Sequence, residues 1–527
     1  MSTDADSATT RREILQRAAA LGLVVGGFGA LEAGNAFAAT PKPKRGGTLR
    51  VGLPGGPAST DNLDPHLEGV AGFAQAYRQI VYSKLTDMRP NGSFANQLAE
   101  SLTPNKDATS WTIKLKKGIT FHDGSELTVD DVIYTFKRIL DPANKLSAAL
   151  GNVDMIDPSG MRKVSKYVMT VKLTRPWSDF PAAVGQRYIS IIKRGAAGPF
   201  TAQNANGTGA FKLTSWTPGD SYRFAANRNY FETGKPYLNG VTFVGIPDSV
   251  ARVNALVSGQ VDVISDVPGI QVGLLKSSGL QAIVNPGGGW TPLVMNTNKA
   301  PYNDVRVRQA MKHLIDRKQS ISIARQGYAT IGNDLFAKSD PLYASSIPQR
   351  SYDPEKARSL LRAAGHLDTQ FVLNTAAAES DFVPLALAFA QGAKKAGVNV
   401  TIQQDSADTF WDKTWGVAPF TFSSWGYRSF FTQWLQSFVS YNKEETAWND
   451  ASQKKASRLV YKAAATGDLT RRKELAVAAQ KLLWDDGGYI IPYFKQTIDG
   501  ANKRVQGIEP HVFPALSWYR FWNFWLS

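Results

Sequence analysis

Residues 111–142 read WTIKLKKGITFHDGSELTVDDVIYTFKRILDP, and no other stretch restricts the fold of this chain as much. Trp111, Ile113 and Leu115 alternate with Thr112 and Lys114, the period of a strand with one face in a core. Lys116-Lys117-Gly118 ends that run, and His122-Asp123-Gly124-Ser125 has the composition of a turn. Thr128 then stands as an N-cap, with Asp131 at the third helical position to return a hydrogen bond to it. Val132, Phe136, Ile139 and Leu140 form a helical stripe that stops before Asp141-Pro142. A strand, a turn and a capped helix in this order make one piece of an α/β domain.

Similar pieces recur downstream. Ser249 is placed to cap a helix carrying Val250, Val253, Leu256 and Val257; Gly259 closes it and Val261 to Ile264 is the next strand, so a right-handed crossover between parallel strands is expected. Asp304 caps a helix with Val307, Ala310, Met311 and Leu314 on one face. Asp353-Pro354-Glu355 opens another, lined by Leu360, Leu361 and Ala364 and stopped by Gly365. Phe371 to Asn374, Asp381 to Ala396 and Val398 to Ile402 then read as strand, helix, strand. Near the start, Gly46 to Gly52 is a short strand, and Gly52, Gly55 and Gly56 lack the spacing of a phosphate loop; they read as turn residues at the mouth of a cleft. No repeat recurs, and 527 residues imply two or three substructures.

The chain has no cysteine, which excludes disulfides, thiolate catalysis, cysteine-bound zinc and a lipid anchor on cysteine. Its formal charge is +16, but Lys and Arg are dispersed, with the densest groups at Lys312 to Lys318 and Arg471-Arg472-Lys473 on apparent surface helices. No nucleic-acid partner is expected; a basic face toward an anionic surface is. Residues 1–38 read as a targeting segment: Arg11-Arg12 resembles the twin-arginine export motif, Ala18 to Leu31 is too short to span a bilayer, and Ala36-Phe37-Ala38 offers a cleavage site. Export in a folded state through the twin-arginine machinery follows from that reading. None of His66, His122, His313, His366 and His511 has metal-site spacing, and no serine sits in a GxSxG elbow, so no catalytic residue, metal or cofactor is expected.

The wording of the opening stretch, with Leu98-Ala99-Glu100-Ser101 before it, resembles the signature of the family 5 extracytoplasmic solute-binding proteins, the dipeptide-, oligopeptide- and nickel-binding components of ABC importers. Gly46-Gly47-Thr48-Leu49-Arg50, Gly207-Thr208-Gly209-Ala210-Phe211-Lys212-Leu213, Asn227 to Phe231 and Tyr302 to Ala310 are similar to further text of that family. The resemblance implies an α/β, two-lobed periplasmic-binding-protein-like fold of type II, with mixed sheets, an extra subdomain and a ligand cleft between the lobes. It divides the chain into lobe I (39–85), an inserted subdomain (86–206), lobe I continued (207–285), lobe II (286–489) and a return to lobe I (490–527). A monomeric, periplasmic or otherwise extracytoplasmic protein is implied, one that captures a solute and hands it to an ABC permease. His122 belongs to the shared signature and is given a structural role.

Nine of the 13 tryptophans lie from Trp411 onward, and the stretch Phe422 to Phe430 carries the ligand-site expectation. Aromatic rings give wide contact surface at small entropic cost, which suits a cleft that encloses a solute. The candidate ligand-binding residues are Trp425, Gly426, Tyr427 and Arg428, with Trp290 and Trp411. Peptide-binding relatives carry Trp-x-x-Asp here, the Asp pairing with the ammonium of the solute, and the resemblance puts Arg428 in its place. A guanidinium repels an ammonium and matches a carboxylate. A peptide-like solute therefore stands beside an anionic, opine-like, sugar-like or metal-chelate one, with Asp405, Asp408 or Asp412 as substitutes for the missing charge. A secreted hydrolase is the class-level alternative, and a chaperone-like protein using exposed aromatics is another.

Overall fold

The computed structural model describes residues 42–67, 72–439, 442–513 and 515–527. The targeting segment expected at 1–38 lies outside the described residues. Pro43–Ser527 holds together as one unit built around three groups of strands.

The strand Thr48–Leu53 sits inside an eight-stranded sheet because Leu49, Val51 and Leu53 are all fully buried. It pairs in parallel with Gly240–Gly245 on one side and Val263–Ile264 on the other. Ser221–Ala226 and Phe211–Thr217 extend the first side antiparallel; Tyr493–Ala501, Gln281–Trp290 and Ala329–Ile331 extend the second. Asp262, next to the parallel edge, accepts from Arg50 at 2.9 and 3.1 Å and pairs with Arg504. Burial alone would raise its carboxyl, but the hydrogen bonds from Arg50 and Arg504 prevail and hold it below the usual range.

A four-stranded antiparallel sheet, ordered Ala99–Pro104, Ser110–Leu115, Val168–Leu173, Ile156–Lys163, contains the opening stretch of the sequence. Trp111, Ile113 and Leu115 face its core, and the helix Val129–Leu140 packs beside it. Asp131 accepts from the Thr128 amide at 2.8 Å and hydroxyl at 3.0 Å, and its other oxygen takes the Arg194 amide at 2.8 Å, tying the helix start to a distant loop. The His122 turn docks on the return segment: its amide donates to Gly207 O at 2.8 Å, and its Nε2 meets Gly209 O at 3.0 Å. Gly207 and Gly209 are required here, since a Cβ at either would lie 2.0 or 2.3 Å from the carbonyls of Val81 and Ile80.

The third group joins Phe420–Phe422, Leu293–Met295 and Tyr489–Ile490, with the parallel pair Phe371–Thr375 and Val400–Gln404 beside it. The helices Val305–His313, Pro354–Ala364 and Phe382–Lys395 surround these strands. The chain passes from the large sheet to this group at 291–292, touches the large sheet again with Ala329–Ile331, and returns to it at 491–492. Four sequence expectations shift. Lys312 and Arg317, in the basic group expected on a surface helix, are buried. Asp248, not Ser249, caps the helix Ser249–Val257, its carboxylate taking the Ala251 amide at 2.6 Å. Val398 is buried in the turn after Ala396, so the strand begins at Val400. Gly52 lies within the strand Thr48–Leu53, where a side chain would strike Ile264.

Candidate functional site

Ser423 to Ser429 is an irregular link between the strand Phe420–Phe422 and the helix Phe430–Phe438, and it meets Trp290 of the large sheet, Pro292, the hairpin loop at Gly92, and Asp179. Trp425 and Trp290 exchange two backbone hydrogen bonds, 2.9 and 3.0 Å, so their rings stack at 5.8 Å and 8°. Trp425 Nε1 donates to Glu445 Oε1 at 3.3 Å, and the Tyr489 hydroxyl donates to Oε2 at 3.2 Å. Burial lifts the Glu445 carboxyl to about 7, although Ser423, Trp425, Tyr489 and Trp415 donate hydrogen bonds that oppose the rise. The Arg428 guanidinium lies 4.8 Å from the Trp425 ring centroid, and its Nη1 donates to Gly426 O at 3.3 Å. Trp290 and Trp425 are almost wholly buried, whereas Gly426 is exposed.

Tyr427 points the other way along the link. Its buried hydroxyl donates to Gly92 O at 3.0 Å, in the hairpin between Thr86–Met88 and Phe94–Asn96. Gly288 lies against its ring, where a Cβ would come within 2.6 Å. Ser429 and Phe430 reach carboxylates. The Ser429 hydroxyl donates to Asp179 Oδ2 at 3.0 Å and the Phe430 amide to Asp340 Oδ2 at 2.8 Å. Burial, and then the charge of Asp340, lifts Asp179 to about 7; burial also raises Asp340. Arg472 acts on both through its charge but forms an ion pair with neither among the described residues; its Nε donates to Thr466 O at 2.9 Å.

The structure thus brings Trp290, Trp425, Gly426, Tyr427 and Arg428 together. Trp411 stands apart: it is 41% exposed, and its ring neighbours among the described residues are Phe382, Phe410 and Trp415. Asp405 is occupied, accepting from Asn374, Gln403 and Thr414. Ser429 lies within the stretch singled out in the sequence, whereas Asp179, Asp340 and Glu445, which also reach this link, were not singled out. An Asp in SDFP or KSDP carries no local signal, since what matters is a partner 250 or 90 residues away. Among the described residues no group of three His, Asp or Glu side chains is arranged to hold a metal.

Open mixed sheets packed with helices on one chain, joined by short segments that pass between the sheets, match the architecture of the periplasmic-binding-protein fold. The chain belongs to the bacterial extracellular solute-binding proteins, family 5, whose "Middle" model matches residues 93–446. It is 26% identical over 469 residues to the glutathione-binding protein GsiB of Escherichia coli (strain K12), covering 84% of this chain and 89% of that one. Among solved structures it resembles the ABC transporter-associated periplasmic binding protein DppA from Helicobacter pylori in complex with the peptide STSA, with TM-score 0.72, 22% identity and 92% and 98% of the two chains covered. It also resembles AgaA from A. tumefaciens R10 in complex with agropinic acid, with TM-score 0.72, 24% identity and 91% and 99% covered. Family 5 proteins deliver solutes to ABC permeases. No helix of the described residues is long and apolar enough to cross a membrane.

Proposed function

We propose that the solute is peptide-like and zwitterionic, held at the link 425–430 and passed to an ABC permease without being chemically changed. The observation that carries this reading is the pair Asp179 and Asp340, hydrogen-bonded to consecutive residues Ser429 and Phe430 with no ion-pair partner among the described residues, directly after Arg428 in the chain. Two carboxylates suit an amino-terminal ammonium, and the guanidinium suits a carboxylate. A short peptide carries both. GsiB, named for a tripeptide, and the peptide complex of DppA support the same class.

In this reading the large sheet and the group around Leu293–Met295 act as two lobes, divided near residues 286 and 490, and closure follows from contacts that both make only with solute between them. The exported chain acts as a monomer, delivered through the twin-arginine route signalled by Arg11-Arg12. An anionic solute is the second reading, favoured by Arg428 where peptide-binding relatives carry Asp.

A thermal-shift series with di- and tripeptides, opines, sugars and metal chelates tests the proposal. A ligand at 100 times its dissociation constant stabilises by roughly 2.7 kcal/mol. Peptides should stabilise the wild type, and Asp179→Asn and Asp340→Asn should each remove most of the shift. Stabilisation by opines alone, lost in Arg428→Asp and retained in Asp179→Asn, would replace the peptide reading with the anionic one. Cleavage of the peptides during incubation, abolished by a single substitution, would make the protein a hydrolase.

A further inference from the structure

Asp179 and Asp340 come from separate parts of the chain and meet at the start of one helix, Phe430–Phe438. Asp179 stands after the strand Val168–Leu173, in the turn before the short helix Phe180–Ala183. Asp340 lies in the segment between Ala329–Ile331 and Pro354–Ala364. Two further contacts press the segment of Asp179 onto the helices beside the link. The Ser178 amide donates to Ala464 O at 2.7 Å, and the Trp177 and Phe431 rings are 5.6 Å apart. Two carboxylates are thereby brought together across a join between segments, each within reach of the other's charge.

The surrounding groups leave the pair with one negative charge in excess. Asp340 accepts the Phe430 amide on Oδ2 and the Leu342 amide on Oδ1, both at 2.8 Å. Among the described residues Arg472 is the cation whose charge acts on both aspartates, and it is turned to carbonyls, with Nε on Thr466 O at 2.9 Å and Nη2 on Gly467 O at 3.4 Å; Asp468 draws on its charge as well. Arg428 is turned onto the Trp425 ring. Burial, then the charges of Asp340 and Asp179, keep the Tyr427 phenol neutral. Both aspartates are half-buried, so the pair is not sealed from water. A neutral Asp179 fits its surroundings: once protonated it donates to Ser429 Oγ, which then gives its own hydrogen to Thr432 Oγ1 at 3.1 Å.

We infer that Asp179 and Asp340 hold one proton between them when no solute is bound and release it to solvent when the ammonium of a solute takes its place, so that loading expels a proton and acid drives the solute off. This exchange rests on the reading of the link as an ammonium site. Its cause is that two carboxylates sharing one recess cannot both ionise without a cation beside them, and a proton or an ammonium serves equally. Burial, and then the charge of Asp340, lifts Asp179 to about 7. The ends of a peptide do not titrate just below that value, since its carboxyl ionises near about 3.5 and its amine near about 8. A change of affinity between pH 5 and 7 for a peptide without ionisable side chains therefore belongs to the protein.

Isothermal titration of the full chain with di-, tri- and tetra-alanine at pH 5, 6 and 7, in two buffers of different ionisation enthalpy, tests the exchange. The expected result is release of about one proton per peptide at pH 6 and an affinity that weakens by roughly five- to tenfold for each unit below pH 7. Glu445→Gln should behave the same, which separates the pair from the other carboxyl of the link near 7. A solute-free arm compares urea midpoints of wild type and Asp179→Asn from pH 5 to 7, with Asp340→Asn as the second variant should the first fail to fold. A carboxyl raised above its unfolded value of about 3.9 loses its contribution as pH rises to its folded value, so wild type should lose stability relative to either variant over this range. Peptide binding that is independent of pH and releases no proton overturns the exchange and leaves the peptide reading standing. Parallel curves for wild type and a folded aspartate variant also overturn it. Failure of all three peptides to bind overturns the ammonium reading and the exchange with it, whatever the solute-free curves show.

Discussion

Replacing Asp334 by asparagine removes one negative charge from a point on which two guanidinium groups converge. Arg317 Nη2 donates to Asp334 Oδ1 at 2.7 Å and Arg350 Nε to Oδ2 at 2.9 Å, and the side chains of Arg317, Arg350 and Asp334 are 5%, 4% and 0% exposed. Oδ1 also takes the Ile491 amide at 3.0 Å, at the point where the chain returns to the large sheet, and Arg350 reaches Trp484 O at 2.7 Å. Asparagine keeps the size, keeps an acceptor for Ile491, and tolerates the positive φ of 59° at this position. What it loses is the charge. Burial pushes the Asp334 carboxyl up, yet Arg317, Arg350 and Lys312 outweigh burial and hold it below the usual range, so the ionised form is the native one. Leaving two buried guanidiniums facing a neutral amide costs about 3–5 kcal/mol. Against a total stability of about 5–15 kcal/mol that is a large fraction. Equilibrium urea unfolding followed by tryptophan fluorescence measures it as a lower midpoint at unchanged slope. The sign with pH is fixed as well: a depressed carboxyl contributes above its unfolded value of about 3.9 and loses that contribution as pH falls through its folded value. The deficit of Asp334→Asn should therefore be fullest near pH 5 to 6, shrink below about 4, and also decline as Lys312, which burial lowers to about 7, loses its proton. A deficit under about 1 kcal/mol at neutral pH would refute the argument that the two arginines depend on this charge.

Glu445 acts with the opposite sign. Its folded carboxyl is lifted to about 7 from an unfolded value of about 4.3, so its contribution is present below about 4.3 and is lost as pH rises to 7. Glu445→Gln should flatten part of the fall in wild-type stability between those values, and parallel urea-midpoint curves at pH 5, 6, 7 and 8 would exclude it. Gly287 and Gly259 both have positive φ, 67° and 75°, but only at Gly287 does a Cβ meet backbone, 1.7 Å from Lys495 O. Gly259→Ala should cost about 1–2 kcal/mol from conformation alone, and Gly287→Ala should cost more and disturb the Asn285–Gly289 bulge; equal losses of thermal stability would contradict this. Thr128→Ala should cost about 1 kcal/mol by removing the capping hydroxyl that donates to Asp131, measured by urea unfolding; a neutral result would mean that the backbone bonds to Asp131 hold the helix start alone.

Local chemistry made much of the fold legible. The helix Val129–Leu140 announces itself because its cap, stripe and stop are all within one stretch, and Asp353 with Pro354 and Gly365 does the same for Pro354–Ala364. Neighbouring candidates compete where the signal is weaker: Asp248 outdoes Ser249 because a carboxylate directly before the first turn reaches the third amide. The link at Trp425 to Arg428 could be found from its aromatic density and its family text. Its electrostatics could not, because Asp179, Asp340 and Glu445 acquire their character only when folding buries them beside partners elsewhere in the chain. Trp411 shows the converse, a tryptophan as prominent in sequence as Trp425 that folding leaves half exposed in another cluster.

The clasp of Asp262 between Arg50 and Arg504 bears on how the polypeptide is made. The strand Thr48–Leu53 is among the first to emerge during synthesis, while the partner of its neighbour Val263–Ile264 is Tyr493–Ala501, among the last. Until that strand exists, the middle of the large sheet presents an open edge, and pairings so distant in sequence form slowly. A nascent or truncated chain therefore has to be shielded from aggregation for most of its synthesis. Only a chain that has been read through residue 504 can close the clasp and hide that edge.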